Sequence, residues 1–399
     1  MPRSEFRIRN TEQDASLTAG ATPELVTPPP TWTPARIFNS MPADFQVAPI
    51  TSADEKHYKA DRLPKASLAK YGFEFEIQVP NAKVAEVGII VNSYHSENYG
   101  GTADPLPDFF NKYLCPVTGD VIPWKAERDG SLWRKDGYTP MEFISPPMIG
   151  EGAFLTTWKM LQKLQELGCK VDFSCGLHIH VGLESITGDA KADEVVAFLV
   201  ELNKFVISFQ DGLYAQTGTR RDIWLNNGTN YCRPFTKVSD VIQVSEQIRS
   251  KRKGTKTSED MKLIKRMANK YSPLNCTKIE DGGAATLEFR FMASTLNFEK
   301  VALHLVSIMT LIRLAWKNRH VQRDAASYDL NKGYHKGSKK TKGVRTLKAL
   351  LTKINRSKAG RLIRVDSPTL ACYWDKMQTK GAEMAKQFDA KVNRTGPRG

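Results

Sequence analysis

Residues 71–79 read YGFEFEIQV, and this stretch decides the fold because apolar and polar side chains alternate along it. Phe73 and Phe75 would lie on one side of an extended chain, and Glu74 and Glu76 on the other. Such alternation is typical of a β-strand that covers a hydrophobic core with one face only. The two carboxylates would then lie about 6.6 Å apart on the same side of the strand.

Three later stretches repeat this alternation and are predicted to be strands. They read MEFI at 141–144, GLHIHVGL at 176–183 and ATLEFRFM at 285–292. Their polar positions carry carboxylate, imidazole or guanidinium groups, namely Glu142, His178, His180, Glu288 and Arg290. Each strand taken singly also fits an ordinary solvated surface. Four such strands side by side would instead turn all these groups towards one common hollow.

Between the strands, apolar residues recur every three or four positions, which predicts amphipathic helices around residues 154–167, 195–209 and 301–315. Gly168 is expected to end the first of them, and a last helix is predicted to open at residues 366–368. Helices between strands that have one covered face favour the α+β class. We therefore predict an antiparallel β-sheet with one open catalytic face and helices packed on the other.

The length and composition suit one large catalytic domain with extensions, or two smaller domains. The chain has 399 residues, of which 41% are hydrophobic and 25% are charged. Residues 1–65 contain the proline cluster TPPPTWTP and are predicted to form an extended or weakly ordered arm. The catalytic domain is predicted over residues 66–325, and a basic, helical extension over 326–399.

The net charge of +15 is unevenly distributed along the chain. Residues 331–364 hold twelve Lys or Arg residues and no Asp or Glu. This segment is either a solvated basic extension or a contact for an acidic macromolecular partner. The sequence shows no membrane-spanning stretch and no signal peptide, and its six cysteines form no C-x-x-C pair, so we expect a cytoplasmic protein.

The polar side chains of the four strands predict a metal site. Carboxylates that lie close together disfavour joint ionisation, and divalent cations relieve the repulsion between them. Oxygen ligands with imidazole suit Mg²⁺ or Mn²⁺, and a pair of such ions can bind polyphosphate. The sequence has neither a G-x-x-x-x-G-K-[ST] loop nor a G-x-G-x-x-G loop after a strand, so a nucleotide would be held by metals and basic side chains.

Seven short motifs, in this order, resemble the amidoligase family of the glutamine synthetase-like carboxylate–amine ligases. They are GFEFEI at 72–77, DGS at 129–131, EFISPP at 142–147, CGLHIHVG at 175–182, NYC at 230–232, YSPLN at 271–275 and TLEFRFMAST at 286–295. The resemblance spans about 225 residues and implies a glutamine synthetase-like catalytic core. It leaves out the first 65 residues and the basic C-terminal part.

The resemblance also implies roles for individual residues. Two metal ions would be held by Glu74, Glu76, Asp129, Glu142, His178 and Glu288. One ion would take Glu142 and Asp129, the other His178 and Glu288, with Glu74 and Glu76 each leaning towards a different ion. Glu127 lies two residues from Asp129 and could substitute for it. The catalytic residues would be Glu74, Glu76, Glu288 and Arg290. Nucleotide or pocket contacts would come from His180, Arg221, Asn230 and Asn275.

The activity that the resemblance implies is ATP-dependent formation of an amide bond. A carboxylate on an amino acid, peptide or protein would be activated as an acyl phosphate and then attacked by an amine. Two other functions fit the same residues: a two-metal nuclease or phosphodiesterase, and a non-catalytic binding protein with the ligase fold. An acyl phosphate must be shielded from water, and the polar segments 80–138 and 254–283 are the candidate lids.

Overall fold

A computed structural model describes the central part of the chain and a few residues near its C-terminus. The described residues are 69–87, 94–95, 104–108, 110, 112–115, 119–217, 232, 257–279, 285–320, 350, 379–384, 386–387 and 390. Four predictions lie outside them: the N-terminal arm, nearly all of the basic segment 331–364, the opening of the last helix at 366–368, and the placement of residues 221 and 230.

Ten strands lie within these described residues. They are β1 (Tyr71–Pro80), β2 (Tyr94–His95), β3 (Asp104–Pro105), β4 (Tyr113–Leu114), β5 (Val121–Ile122), β6 (Lys125–Asp129), β7 (Tyr138–Ile144), β8 (Gly176–Gly182), β9 (Leu274–Asn275) and β10 (Thr286–Ala293). Eight of them form the main sheet in the order β2-β6-β7-β1-β8-β10-β9, with β3 also paired to β6. The strands β4 and β5 form a separate pair.

The antiparallel α+β architecture is confirmed. Every neighbouring pair from β6 to β9 is antiparallel, and the described part of the sheet has one parallel pair, β2 with β6. The five described α-helices are α1 (Gly150–Glu166), α2 (Leu183–Thr187), α3 (Ala192–Ala215), α4 (Thr257–Met267) and α5 (Phe298–Asn318). Three of them were predicted, and Gly168 follows α1 with a φ of 74° that a side chain would disfavour.

The apolar face of the sheet forms the core under the helices. Phe73, Phe75 and Phe289 are almost wholly buried, as their alternation predicts. On β10, the Phe291 ring makes edge contacts with Tyr214 of α3 and with His304 of α5. Helices α3 and α5 therefore cover this face, and the polar side chains of the same strands point away from them.

Part of the segment 80–138, one of the two candidate lids, contributes strands to the sheet. Strand β6 pairs with β7 along residues 125–128, and β2 and β3 pair with β6. The sequence KAERD of β6 has too few apolar residues to predict a strand on its own. Its extended conformation follows from pairing with β7, which only the tertiary structure supplies.

None of the helices in the described part of the chain is both long enough and apolar enough to span a membrane.

A buried polar contact joins the end of α3 to α5. The Gln216 side chain follows α3 and donates from Nε2 to Oγ of Ser307, at 2.9 Å, and both residues are fully buried. The Ser307 hydroxyl in turn donates to the carbonyl oxygen of Leu303, at 2.7 Å. A buried amide keeps its contribution to stability only while its partner remains in place.

We expect Ser307→Ala to lower the free energy of unfolding by about 1–3 kcal/mol, because the buried amide of Gln216 loses its acceptor. Urea denaturation followed by circular dichroism measures the change in midpoint. The double variant Gln216→Leu/Ser307→Ala should recover part of the loss, since it also removes the donor. A Ser307→Ala chain as stable as the native one would contradict this role of the hydrogen bond.

Candidate active site

Six adjacent antiparallel strands each contribute polar side chains to the face that points away from α3 and α5. In sheet order from β6 to β9 they contribute Glu127 and Asp129, Glu142, Glu74 and Glu76, His178 and His180, Glu288 and Arg290, and Asn275. Because neighbouring strands lie about 4.8 Å apart, the four strands predicted from alternation bring their polar groups within contact range. The face carries far more carboxylates than cationic side chains.

The strand register determines which polar groups face each other. Glu74 is paired with His178 across β1 and β8, and Glu288 with His180 across β10 and β8. On the other side of β1, Glu76 is paired with Glu142. Directly opposed like charges are unfavourable, so this pairing concentrates repulsion at the β1–β7 side of the face.

His178 lies at the centre of the carboxylates. Its Nδ1 is 3.1 Å from Oε2 of Glu74 and 3.7 Å from Oε1 of Glu288, and its Nε2 is 3.6 Å from Oε1 of Glu76. The side chain is only 4% exposed. Both ring nitrogens therefore face carboxylate oxygens, and the imidazole links three strands of the sheet.

A second group of contacts lies on the β10 side. Nε2 of His180 is 3.0 Å from Oε1 of Glu74, in a direction that does not make a hydrogen bond. Glu288 forms an ion pair with Arg290 and accepts a 2.8 Å hydrogen bond from Nδ2 of Asn275. Lys278 Nζ approaches the same carboxylate at 3.9 Å. Glu288 is thus held in place on both oxygens.

Two groups of three ligands could each hold a metal ion within the described residues. They are Glu74, Glu142 and His178, and Glu74, His180 and Glu288; in each group the ligand atoms lie within 4.8 Å of one another. Both groups contain Glu74, and the second contains His180, which the family resemblance places near the nucleotide instead. The donor set of carboxylate oxygens and imidazole nitrogens fits Mg²⁺ or Mn²⁺.

Glu76 and Asp129 lie on the same face but outside these two groups. Oε2 of Glu76 accepts a hydrogen bond from the backbone N–H of Gly176, where β8 begins. Oδ1 of Asp129 accepts from the backbone N–H of Ser131, at 2.8 Å. In each carboxylate one oxygen is therefore engaged by the backbone, and the other is the atom available to a ligand.

The pKa values follow from this crowding. Burial and the nearby carboxylates of Glu74, Glu76, Asp129 and Glu127 raise the pKa of Glu142 well above its usual value. Burial also acts to raise the pKa of Glu74, but the two histidines outweigh it and hold that pKa well below its usual range. The β1–β7 side of the site therefore has an excess of negative charge that a cation would neutralise.

The pKa of Glu288 is also lowered. Burial opposes the shift, and the Arg290 guanidinium and both histidines outweigh burial. The same ion pair raises the pKa of Arg290, against the effect of burial. Glu288 and Arg290 therefore both stay charged at neutral pH.

The polar face is recessed rather than open. Glu76, Glu142 and Glu288 are 8%, 6% and 1% exposed, so the predicted open catalytic face is buried at these positions. The neighbouring thiol of Cys175 is buried as well, and burial raises its pKa to about 12. It is a neutral packing group at physiological pH and not a nucleophile.

The sequence named Glu127 only as a substitute for Asp129 and gave Gln78 no role. Glu127 faces Glu142 across β6 and β7 and is as deeply buried, so it is an equal alternative to Asp129. The signal for it is the i, i+2 spacing of Glu127 and Asp129. Gln78 is fully buried, and its Nε2 donates to Trp133 O at 2.8 Å. Its Oε1 has no hydrogen-bond partner in the described structure.

Arg221 and Asn230, predicted as pocket residues, lie outside the described residues.

Glu142→Gln should stabilise the metal-free protein at neutral pH. Because its pKa is raised, folded Glu142 keeps its proton to a higher pH than the unfolded chain does, so stability falls as pH rises above the usual value of 4.5. The glutamine variant cannot ionise at position 142, so its stability does not fall with rising pH for this reason. In EDTA we expect its unfolding temperature to exceed that of the native chain by at least ~2 °C at pH 7, and by less at pH 5.

The control for this measurement is Glu184→Gln, the same chemical change at an exposed position of α2. Its unfolding temperature should match that of the native chain at both pH values. If Glu142→Gln melted below the native chain at pH 7 in EDTA, charge crowding would not be the dominant force on this face.

The described geometry agrees with a comparison of the chain against protein-family models. A family described as "Putative amidoligase enzyme" matches residues 68–311, a region that contains all ten described strands and both groups of candidate metal ligands. A comparison with curated proteins finds none that matches the chain. The family match covers more than half of the 399 residues, and the chain therefore belongs to this amidoligase family.

Proposed function

We propose that the protein is an ATP-dependent carboxylate–amine ligase that forms an amide bond through an acyl phosphate. The observation that carries this proposal is the pair of three-ligand groups that share Glu74, with Arg290 beside them. Crowded carboxylates of this kind suit two divalent cations, and a fixed guanidinium next to them suits a phosphoryl group or a carboxylate. The family match supports a ligase, and the antiparallel sheet suits a glutamine synthetase-like core.

In this proposal Mg²⁺ or Mn²⁺ would be held by Glu74, Glu142 and His178 on one side, and by Glu74, His180 and Glu288 on the other. Bound ions of this type neutralise the charge of polyphosphate oxygens during phosphoryl transfer. Glu76 and either Asp129 or Glu127 would complete the ligand sets. Asn275 keeps Glu288 oriented through its hydrogen bond to Oε2.

The reaction would proceed in two steps. A carboxylate oxygen of the first substrate attacks the γ-phosphorus of ATP, and the bond to ADP breaks. An amine nitrogen then attacks the acyl carbon, the bond to phosphate breaks, and the nitrogen loses a proton as the amide forms. Arg290 is placed to grip the carboxylate or the transferred phosphoryl group through its planar fork.

One feature of the site suits an acyl phosphate, and another suits the amine that attacks it. The side chains of Glu76, Glu142 and Glu288 are almost wholly buried, and a site shielded from water in this way would protect the intermediate from hydrolysis. Gln78, two residues from Glu76 on the same face of β1, offers a buried carbonyl oxygen without a partner in the described structure. The N–H of an incoming amine is the kind of donor that this oxygen would accept.

We expect Glu288→Gln to lower ligase turnover at least ~100-fold, because it removes one ligand charge and the partner of Arg290 while keeping the side-chain shape. The assay is ADP release with Mg²⁺ and ATP against pooled carboxylates crossed with pooled amines, with products read by mass spectrometry. Glu184→Gln, on the surface of α2, is the matched control and should keep native turnover.

Two results of this assay would overturn the proposal. Full ADP release by Glu288→Gln with the true substrates would show that the proposed site takes no part in the reaction. Cleavage of labelled DNA or RNA by the native chain without ATP, together with no amide product, would favour the nuclease alternative.

Metal binding can be measured separately from turnover. We expect Mn²⁺ titration by calorimetry to show two sites in the native chain and a loss of affinity at both in Glu74→Gln, because Glu74 belongs to both ligand groups. Glu142→Gln should weaken one site more than the other, since Glu142 belongs to one group. No cation binding at millimolar Mn²⁺ would favour the non-catalytic alternative.

A further inference from the structure

A further cavity lies where β6 ends and β7 begins. Asp129, one of the carboxylates of the candidate site, lines it. It has a volume of about 270 Å³, enough for a group the size of an amino acid. The residues that matter for its chemistry are Asn81, Arg128, Asp129, Arg134, Tyr138 and Thr139. Neither the metal-ligand groups nor the proposed reaction uses its arginines.

Within the part of the chain that the structure describes, the side chains of Arg128 and Arg134 have no hydrogen bond or ion pair. Nε of Arg128 is shielded from solvent and has no acceptor among the described residues. Buried N–H groups are nearly always satisfied in proteins, so this atom calls for an acceptor from a ligand or from water.

The other groups around the cavity keep it positive. Lys135 Nζ and Lys170 Nζ lie over the Tyr138 ring, at 5.0 and 5.3 Å from its centre. One carboxylate among the lining residues, Asp129, opposes the two guanidinium groups, and its Oδ1 already accepts from Ser131 N. An oxyanion is therefore the ligand that this cavity favours.

We propose that the cavity binds an oxyanion of a substrate, a carboxylate or a phosphoryl group, through Arg128 and Arg134. Of the lining residues, Pro140 and Tyr138 stand two and four positions from Glu142 on the same face of β7, about 7–13 Å at the usual rise per residue. A peptide-like chain of two to four residues spans that distance. Arg128 is paired with Met141 and reaches the cavity from the other face of β6.

This identification of the ligand rests on the proposed ligase function. A ligase that joins peptide-like substrates handles a reacting carboxylate near the metal groups and can grip a second, non-reacting carboxylate further along. The cavity would then determine which substrates fit, by selecting those with an anionic group at this spacing. The presence of an anion site itself does not depend on the reaction and can be tested without it.

The test is anion-induced stabilisation of the full-length chain in EDTA, with acetate and inorganic phosphate as probes at constant ionic strength in sodium chloride. EDTA removes any contribution from bound divalent cations. We expect a saturable rise in unfolding temperature for the native chain. Arg134→Gln and Arg128→Gln should each weaken the apparent affinity at least ~10-fold, because each removes a charge-assisted pair.

The matched control is Arg266→Gln, which removes the same charge from an exposed position of α4. It should keep native affinity for both probes. Arg134 is exposed, so its replacement leaves the fold intact even if Arg128→Gln does not fold. The proposal is overturned if the native chain shows no saturable shift, or if Arg134→Gln binds the probes as tightly as the native chain does.

A second measurement distinguishes the two sources of the oxyanion. In the ADP-release assay, a non-reacting carboxylate predicts that Arg134→Gln raises KM for the carboxylate or amine substrate at least ~10-fold and leaves KM for ATP unchanged. A rise in KM for ATP alone would assign the site to the nucleotide phosphates. If the chain has no ligase activity, the proposed function fails, while the anion binding measured in EDTA still stands or falls by itself.

Discussion

Repulsion between carboxylates that strand pairing holds together is the constraint on which this site depends. The β1–β7 register places Glu76 against Glu142, and β6 adds Glu127 opposite the same residue. The backbone hydrogen bonds of the sheet fix these positions, so the carboxylates cannot separate to relieve the repulsion. This repulsion, together with burial, raises the pKa of Glu142. A bound cation would relieve the repulsion, and carboxylates and imidazoles are suitable ligands for one.

The apolar side of the sheet is what keeps the register in place. A slip of one residue in β1 would turn Phe73 and Phe75 away from the core and bring Glu74 and Glu76 into it. Burial of these rings in the core makes such a slip costly. The packing of one face thereby stabilises an arrangement of charges on the other that would be unfavourable by itself.

Charge is divided between the polar face of the sheet and the end of β6. The centre of the sheet is acidic and contains the candidate metal ligands, while Arg290 lies on the β10 side and Arg128 and Arg134 lie where β6 ends. A substrate with two anionic groups at a fixed spacing would match this division, with one group near the metal ligands and the other in the cavity. The amidoligase family match agrees with substrates that carry a carboxylate and an amine.

Local sequence pattern was enough to predict four strands of the main sheet, their two faces and most of the polar residues that these strands carry. Alternation with a period of two is a local property, so Glu74, Glu76, His178 and Glu288 could be placed on one side of their strands before any contact was known. The three long helices were likewise readable from their apolar spacing, because a helix face repeats within a few residues.

Only the tertiary structure decided which strands are neighbours and how the ligands divide. The adjacency of β7, β1, β8 and β10, the presence of Glu74 in both ligand groups and the strand β6 with Glu127 all depend on pairing between residues far apart in the chain. The cavity with Arg128 and Arg134 has the same origin. Local periodicity contains no information about such long-range contacts, and for this reason the sequence predicted the chemistry of the face but not its geometry.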